Sequence, residues 1–557
     1  VVNKKVCSFP ILFALLALLI GTCAVVFPAS AQAAPTSTGS ITVSGTVASS
    51  YDAYQIFSAN VVDGDSDAKI ATDLAWASDA VRDAALPVLH SAGMPNSQTT
   101  AQEAAEWLNT DSHLTSALSA QLARSLQSSG AVSVALNAGT AAELPCGYWL
   151  IVADDDAIAQ NEAGTAPIMA LVGGSAVTVK PKAATPKVSK HVLEDSAAAW
   201  QKAADATVAD DLYWRLSATV PAGLTAYDTY TVKFVDTMSA GLDPSKVAAS
   251  MRVYVAAGAD GGFDAVQTDK DGRVGTEPAK GWTDITAQCA TKVAADGKTF
   301  TVRTGDLVAA LGGADAFTAG ARVVAVYNAP LNSACNHGIA KGNPNEVYLR
   351  YPRSPFADQS GDAGFTRTPS DDACAYTWDL ALTKRGSDGD KPLAGAVLSI
   401  ADDRGRTLAA DGTWDAEGKA TVTTGEDGRV TVSGVDSGKL EVRELKAPKG
   451  YTAFEGTRSV TVKAEGLDVD QVAAAKPKLT ITAESPLRAD SADGSTGSLE
   501  ASLINTPTGT PPSITTGGFM PSTGDMAMYA AAAAAVAGAA LIVVALLVKR
   551  GGGSHKE

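Results

Sequence analysis

Apolar and polar residues alternate in short runs along most of this chain, the period-two pattern of strands that bury one face. Ile41-Thr-Val-Ser-Gly-Thr-Val47 opens the series. The spacing changes between Thr100 and Leu126, where Ala104, Trp107, Leu108, Leu114, Leu118 and Leu122 recur at helical intervals, so one helix is predicted there. Strand patterns return at 147–152 and 176–179. Residues 36–181 therefore read as a mixed domain, mostly β with one substantial helix. Pro181-Lys-Ala-Ala-Thr-Pro186 sets two prolines around small residues and reads as a linker. Residues 187–372 hold predicted strands at 213–220, 230–235, 322–327 and 347–351, and close in a polar stretch containing Pro355 and Pro369. Residues 375–507 show strands at 378–383, 396–400, 430–432, 440–443, 460–462 and 502–504, separated by Gly- and Asp-rich turns. No long helix interrupts them, which is the pattern of a β-sandwich.

The two ends follow other rules. Lys4 and Lys5 precede an apolar run from Ile11 to Phe27, and Ala31-Gln32-Ala33 follows as a small-x-small cleavage site. Residues 1–33 are expected to be a secretory signal peptide. Residues 508–525 read as a flexible stalk. Residues 526–548 carry no charge and are long enough to cross a hydrocarbon core of ~30 Å, so a transmembrane helix is expected. Lys549 and Arg550 place the tail, 549–557, in the cytoplasm.

Composition narrows the function. A length of 557 residues implies several domains, and a net charge of −16 argues against nucleic acid as a partner. Of six cysteines, Cys7 and Cys23 leave with the signal peptide; Cys146, Cys289, Cys335 and Cys374 remain, and export permits disulfides. Cys289 and Cys335 share one region and are the expected pair. There is no CxxC, no HExxH and no visible hydrolase triad, so no metal, no cofactor and no turnover enzyme are expected. Asp63-Gly-Asp-Ser-Asp67 resembles the start of a calcium loop, but Ala68 and Leu74 stand where the loop needs Gly and Glu, and it is read as a solvated turn.

Period two also aims ionisable groups inward. Lys384 shares a face with Leu380 and Leu382, Glu444 with Leu440 and Val442, and Asn505 with Leu503. In the preceding region Lys190 shares a face with Val188 and Val192, Asp236 with Val232 and Phe234, and Asn345 with Val347 and Leu349. Asn343 is an alternative to Asn345. Burial lowers a lysine pKa and raises a carboxyl pKa, so the neutral amine and neutral acid become accessible. A neutral amine can then attack the asparagine amide carbon while the acid moves the proton, releasing ammonia and leaving a Lys–Asn isopeptide bond. Asp236 and Glu444 would be the promoting acids. The two bonds would enclose about 155 and about 120 residues.

Several motifs resemble those of Gram-positive sortase-assembled backbone pilins. Met520-Pro521-Ser522-Thr523-Gly524, directly before the apolar span and basic tail, resembles the LPxTG cell-wall sorting signal with Met in place of Leu. The resemblance implies that a sortase cysteine attacks the Thr523 carbonyl and releases Gly524 onward. Val179-Lys-Pro-Lys182 resembles the pilin motif, which implies that the Lys182 amine accepts Thr523 of another subunit; Lys180 and Lys187 are rival acceptors. Leu393-Ala-Gly-Ala-Val-Leu398 and Glu444-Leu-Lys-Ala-Pro-Lys-Gly-Tyr451 are similar to patterns of the collagen-adhesin B-type domain. Val235-Asp-Thr-Met-Ser-Ala-Gly-Leu242 and Gly342-Asn-Pro-Asn-Glu-Val-Tyr-Leu-Arg-Tyr351 are similar to the fimbrial isopeptide-forming domain.

What the resemblance implies is a mainly β chain of tandem immunoglobulin-like β-sandwiches after an N-terminal pilin domain, anchored at the surface of a Gram-positive bacterium. Its implied partners are a sortase, identical subunits in a covalent filament, accessory pilins, peptidoglycan, and a host or bacterial surface ligand in adhesion. A minor or basal pilin and a monomeric wall-anchored adhesin are the alternatives.

Overall fold

Strand Ser50–Asp63 organises the first part of the chain. In a computed structural model it pairs with Lys69–Trp76, Ser133–Asn137 and Gly147–Ala153, and Ile168–Val172 completes the sheet. The structure describes residues 37–509 except 66–67, 111–112, 165, 182–184 and 270–272. The expected signal peptide, Lys182, the end of the stalk, the sorting motif 520–524 and the apolar span therefore lie outside the described residues. No helix among the described residues is long and apolar enough to cross a membrane.

This first sheet is covered on both faces, which is why Tyr148-Trp-Leu-Ile-Val152 is nearly continuously apolar. Leu150 and Val152 face a helical layer, while Trp149 and Ile151 face a three-stranded sheet of Ala142–Pro145, Thr38–Val43 and Val177–Val179. The helical layer has three members: α1 (Asp79–Ser91), α2 (Ala101–Asn109) and α3 (Ser116–Ser129). This corrects the expectation of one helix. Thr100 and Glu103 form a capping box that starts α2, and Thr115 caps the start of α3 by accepting from Leu118 N at 3.1 Å, so the expected single span is two helices. The first helix was hidden because three of its four buried positions, Val81, Ala84, Ala85 and Leu89, are short side chains, and Pro87 lies inside it.

The second part is two facing sheets around one core. One runs Ala199–Gln201, Lys187–Glu194, Tyr213–Val220, Ala321–Asn328, Arg252–Ala257, Thr283–Asp284. The other runs Ala203–Asp205, Asp371–Tyr376, Asn343–Pro352, Lys233–Met238, Thr299–Arg303, Ala290–Val293, with Phe365–Arg367 beside Asn343–Pro352. Trp214, Leu216, Phe234, Phe300, Tyr327 and Leu349 fill the space between them. The first sheet is apolar on its outer face too, where Tyr254, Val324 and Val326 form a smaller cluster.

Strand Asp371–Tyr376 belongs to this second core, and only Thr377 separates it from Trp378–Gly386, the opening strand of the third part. There Trp378–Gly386 lies between Arg429–Val435 and Ser498–Pro507, and faces a sheet built on Val397–Ala401, Gly438–Lys446, Thr457–Glu465 and Lys478–Ala483. Opening and closing strands run parallel, with Lys384 opposite Leu503 and Gly386 opposite Asn505. The junction is clamped: Asp205 Oδ2 accepts from Trp378 Nε1 at 2.6 Å and from Ser437 N and Oγ at 2.7 Å. Asp210 pairs with Arg404 and Arg406 across the same seam. Towards the first part, Arg124 pairs with Asp228 at 2.6 Å and donates to Pro355 O at 3.1 Å.

Gly147 starts its strand at φ +141°, where the partner strand is bulged between Gln55 and Phe57. A Cβ at this position would collide with the Phe57 carbonyl oxygen. Gly147→Ala is therefore expected to destabilise the first part by about 2–4 kcal/mol, read as a lowered midpoint in urea unfolding, because both the backbone conformation and the bulge oppose a side chain.

Candidate functional site

Two clusters of lysine, acid and asparagine are buried, one in each of the second and third parts. Lys190 lies on the opening strand Lys187–Glu194 and alternates inward with Val192. Asp236 comes from Lys233–Met238 and Asn345 from Asn343–Pro352, neighbours in the opposite sheet, with Asn345 paired to Met238. All three side chains are 0% exposed. The aliphatic stem of lysine is at home in such a core, but its ammonium is not.

The geometry around Lys190 converges on a fourth residue that the sequence reading did not single out. Lys190 Nζ donates to Asp236 Oδ2, and to the Tyr327 hydroxyl at 2.9 Å. The Tyr327 hydroxyl donates to Asp236 Oδ2 at 3.0 Å, and accepts from Asn345 Nδ2 at 2.9 Å. Asp236 Oδ1 and Asn345 Oδ1 remain buried without a hydrogen-bond partner. Burial pushes the Lys190 amine down to about 8, with Asp236 opposing. Burial likewise holds the Asp236 carboxyl above its ordinary value against the pull of Lys190. Both shifts favour the neutral amine beside the neutral acid over the ion pair. The Lys190 Nζ also stands 5.4–5.5 Å from the ring centres of Tyr327 and Trp214.

A second tier fixes the Lys190 backbone. Asp371 Oδ2 accepts from Lys190 N at 2.7 Å, and Lys202 Nζ donates to Lys190 O at 2.9 Å while pairing with Asp371. Asn343 is not part of the cluster. Its Oδ1 accepts from Asn336 N at 2.8 Å and its Nδ2 donates to Asn336 O and Ala375 O, so it ties down the loop before its strand.

The third part has the same residue types with different wiring. Lys384 Nζ donates to Leu503 O at 3.1 Å and lies 3.7 Å from Glu444 Oε1. Asn505 Nδ2 donates directly to both Glu444 oxygens, at 2.9 and 3.0 Å, and Phe454 N donates to Glu444 Oε2 at 3.1 Å. Asn505 Oδ1 is buried without a partner. Burial pushes Lys384 down to about 8, with Glu444 opposing. Each cluster can therefore present an amine nucleophile, an amide electrophile and a carboxyl proton carrier in a site closed to water.

The expected Cys289–Cys335 disulfide is not formed, and all four described cysteines are free thiols. The two sulfurs have separate neighbours: Cys289 Sγ donates to Ile285 O at 3.2 Å, whereas Cys335 Sγ is 3.5 Å from His337 Nε2. Sharing a predicted region did not bring them together. Among the described residues no group of His, Cys, Asp or Glu is arranged to hold a metal ion.

Residues 379–476 match the family model described as SpaA, prealbumin-like fold domain. The trypsin-resistant surface T6 protein of Streptococcus pyogenes serotype M6 is 30% identical over 143 residues, so the match spans about a quarter of the length of either protein, 24%. Among solved structures, the T6 backbone pilin of Streptococcus pyogenes serotype M6 is similar over 85% of this chain and 98% of that one, at 17% identity and a TM-score of 0.45. The major pilin SpaD of Corynebacterium diphtheriae is similar over 85% and 98%, at 15% identity and a TM-score of 0.41. The major pilin SpaA of the same organism, described as pointing to a modular pilus assembly with stabilizing isopeptide bonds, covers 84% and 99% at 14% identity and a TM-score of 0.38.

The buried amines make stability depend on pH wherever they stay free. Burial pushes the Lys384 amine down to about 8 from an ordinary 10.5, and in the Asn505→Ala variant, where the amine cannot be consumed, the folded chain should release this proton before the unfolded chain does. The unfolded state binds more protons in that window, so stability should rise from pH 8 to pH 10. Urea unfolding checks this, and the rise should be absent when Lys384→Met is added.

Proposed function

We propose that this chain is the repeating shaft subunit of a covalently assembled, cell-wall-anchored fimbria on a Gram-positive bacterium. It is a structural protein and a sortase substrate, and its own covalent chemistry happens once per cluster. The observation that carries the reading is the pair of buried Lys–acid–Asn clusters, each bringing together a lysine of the opening strand of a β-sandwich and an asparagine of a late one. A soluble enzyme or a simple binding module has no use for two buried amines of this kind, whereas a filament under tension gains from them. The proposed bonds are Lys190 to Asn345, promoted by Asp236, and Lys384 to Asn505, promoted by Glu444. The two parts that hold them are read as immunoglobulin-like sandwiches, following a mixed N-terminal domain.

Between subunits, a sortase would join the Thr523 carbonyl of one chain to the Lys182 amine of the next. This contact is head-to-tail and does not close on itself, as a fibre requires. Identical subunits, accessory pilins and finally peptidoglycan are its covalent neighbours, and adhesion to host or bacterial surfaces is the activity served. The prealbumin-like match at 379–476 and the similarity to the surface T6 protein support this reading.

Two measurements test it. Lys182→Arg should abolish the high-mass ladder of boiled surface extracts, while Lys180→Arg and Lys187→Arg leave it intact; a ladder that persists in Lys182→Arg and is lost in Lys180→Arg or Lys187→Arg moves the acceptor to that lysine, and a single-chain species in the parent rejects the shaft assignment in favour of a basal subunit or a monomeric adhesin. The purified exported chain should weigh about 34 Da less than its sequence, one ammonia of about 17 Da per bond. Asn345→Ala and Asn505→Ala should each abolish one loss and lower the stability of its sandwich by about 4 kcal/mol, the scale of closing a loop of this length.

A further inference from the structure

The two clusters differ by one methylene in their acid, and the difference has a structural consequence. Glu444 is long enough to touch the Asn505 amide itself, at 2.9 Å. Asp236 touches Lys190, yet the polar contact of the Asn345 side chain is with the Tyr327 hydroxyl. That hydroxyl accepts from both nitrogens and donates to Asp236, using its full hydrogen-bonding capacity on the reacting groups. Burial holds the Tyr327 hydroxyl well above its usual range, so it keeps a proton to hand on. In the third part Lys384 Nζ donates instead to a backbone carbonyl, Leu503 O, and among the described residues no hydroxyl is hydrogen-bonded to it.

Resting on the proposed Lys190–Asn345 bond, we infer that Tyr327 is a catalytic residue of that reaction: a proton relay that bridges the gap between the short acid Asp236 and the departing amide nitrogen. Lys190 Nζ gives a proton to Asp236 and attacks Asn345 Cγ. The new C–N bond forms while Cγ–Nδ2 breaks. As it breaks, the Tyr327 hydroxyl passes its proton to Nδ2 and takes a replacement from the attacking nitrogen by way of Asp236. Nδ2 leaves as ammonia. One proton of the original ammonium ends on Asp236, so charge and atoms balance: an ion pair and an amide become a neutral acid, an isopeptide and ammonia. The buried, unpartnered Asp236 Oδ1 and Asn345 Oδ1 are two acceptors that lack a donor, and a protonated Asp236 supplies one.

The test is a time course of the exported chain, digested and mapped for the two branched peptides, with the Lys384–Asn505 peptide as internal control. Tyr327→Phe should slow formation of the Lys190–Asn345 peptide about 100-fold, the scale of a lost proton carrier, and leave the control unchanged. Adding Asp236→Glu to Tyr327→Phe should restore much of the lost rate, because the longer acid then reaches the amide directly as Glu444 does. Circular dichroism and urea unfolding verify that both variants fold. A wild-type rate in Tyr327→Phe overturns the relay. A slow Tyr327→Phe with no rescue by glutamate also overturns it, leaving the tyrosine a packing role. If the parent chain never yields the Lys190–Asn345 peptide, the fault lies in the proposed bond itself.

Discussion

An ammonium group taken out of water and enclosed in a β-sandwich core is the constraint around which the second and third parts of this chain are arranged. Removing such a charge from water costs several kcal/mol even after relaxation, and one carboxylate partner does not reliably repay it. At Lys190 the opposing effects can be ranked. Desolvation is the largest influence on the amine and outweighs the attraction of Asp236, so the amine falls to about 8. Surface pairs such as Lys419–Glu417 show the contrast, since both partners stay mostly in water and contribute little. Neutralising the buried pair lowers this cost, and consuming the amine in the proposed amide bond would remove it altogether.

The same constraint explains the surrounding detail. Lys190 enters the core from a strand whose backbone is pinned by Asp371 and Lys202, so the amine has little freedom to retreat to solvent. Its targets are on two adjacent strands of the opposite sheet, so the proposed link in the second part crosses between sheets. In the third part, Lys384 and Asn505 lie on parallel neighbours within one sheet, and Glu444 reaches them from the facing one. The one proposed reaction would thus be served by two geometries, and the length of the acid changes with them.

Load passing along the chain would meet these links in series. Thr377 alone separates the strand that closes the second core from the strand that opens the third. That short joint is braced by Asp205, which receives three hydrogen bonds from the third part. Asp205 and Trp378 are buried, and short hydrogen bonds to a buried carboxyl group fix orientation as well as adding stability.

Alternation of side chains was sufficient to indicate mainly β architecture and to point Lys190, Asp236, Asn345, Lys384, Glu444 and Asn505 inward, because a strand has only two faces and apolar neighbours mark the buried one. It also placed the strands that carry Asp236, Asn345, Lys384, Glu444 and Asn505 within a few residues. Three things it could not decide. Helix α1 is built on small residues around a proline, so its local pattern is weak and packing against the sheet stabilises it. Pairing of Cys289 with Cys335 depended on spatial proximity, which a shared region does not supply. Tyr327 lies in the run Arg322-Val-Val-Ala-Val-Tyr327, buried on both faces, where alternation carries no information about which side a residue serves. Sequence fixes which face a side chain takes when one face is wet; only the packing of sheet on sheet decides which of the buried groups meet, because that depends on distances between segments far apart along the chain.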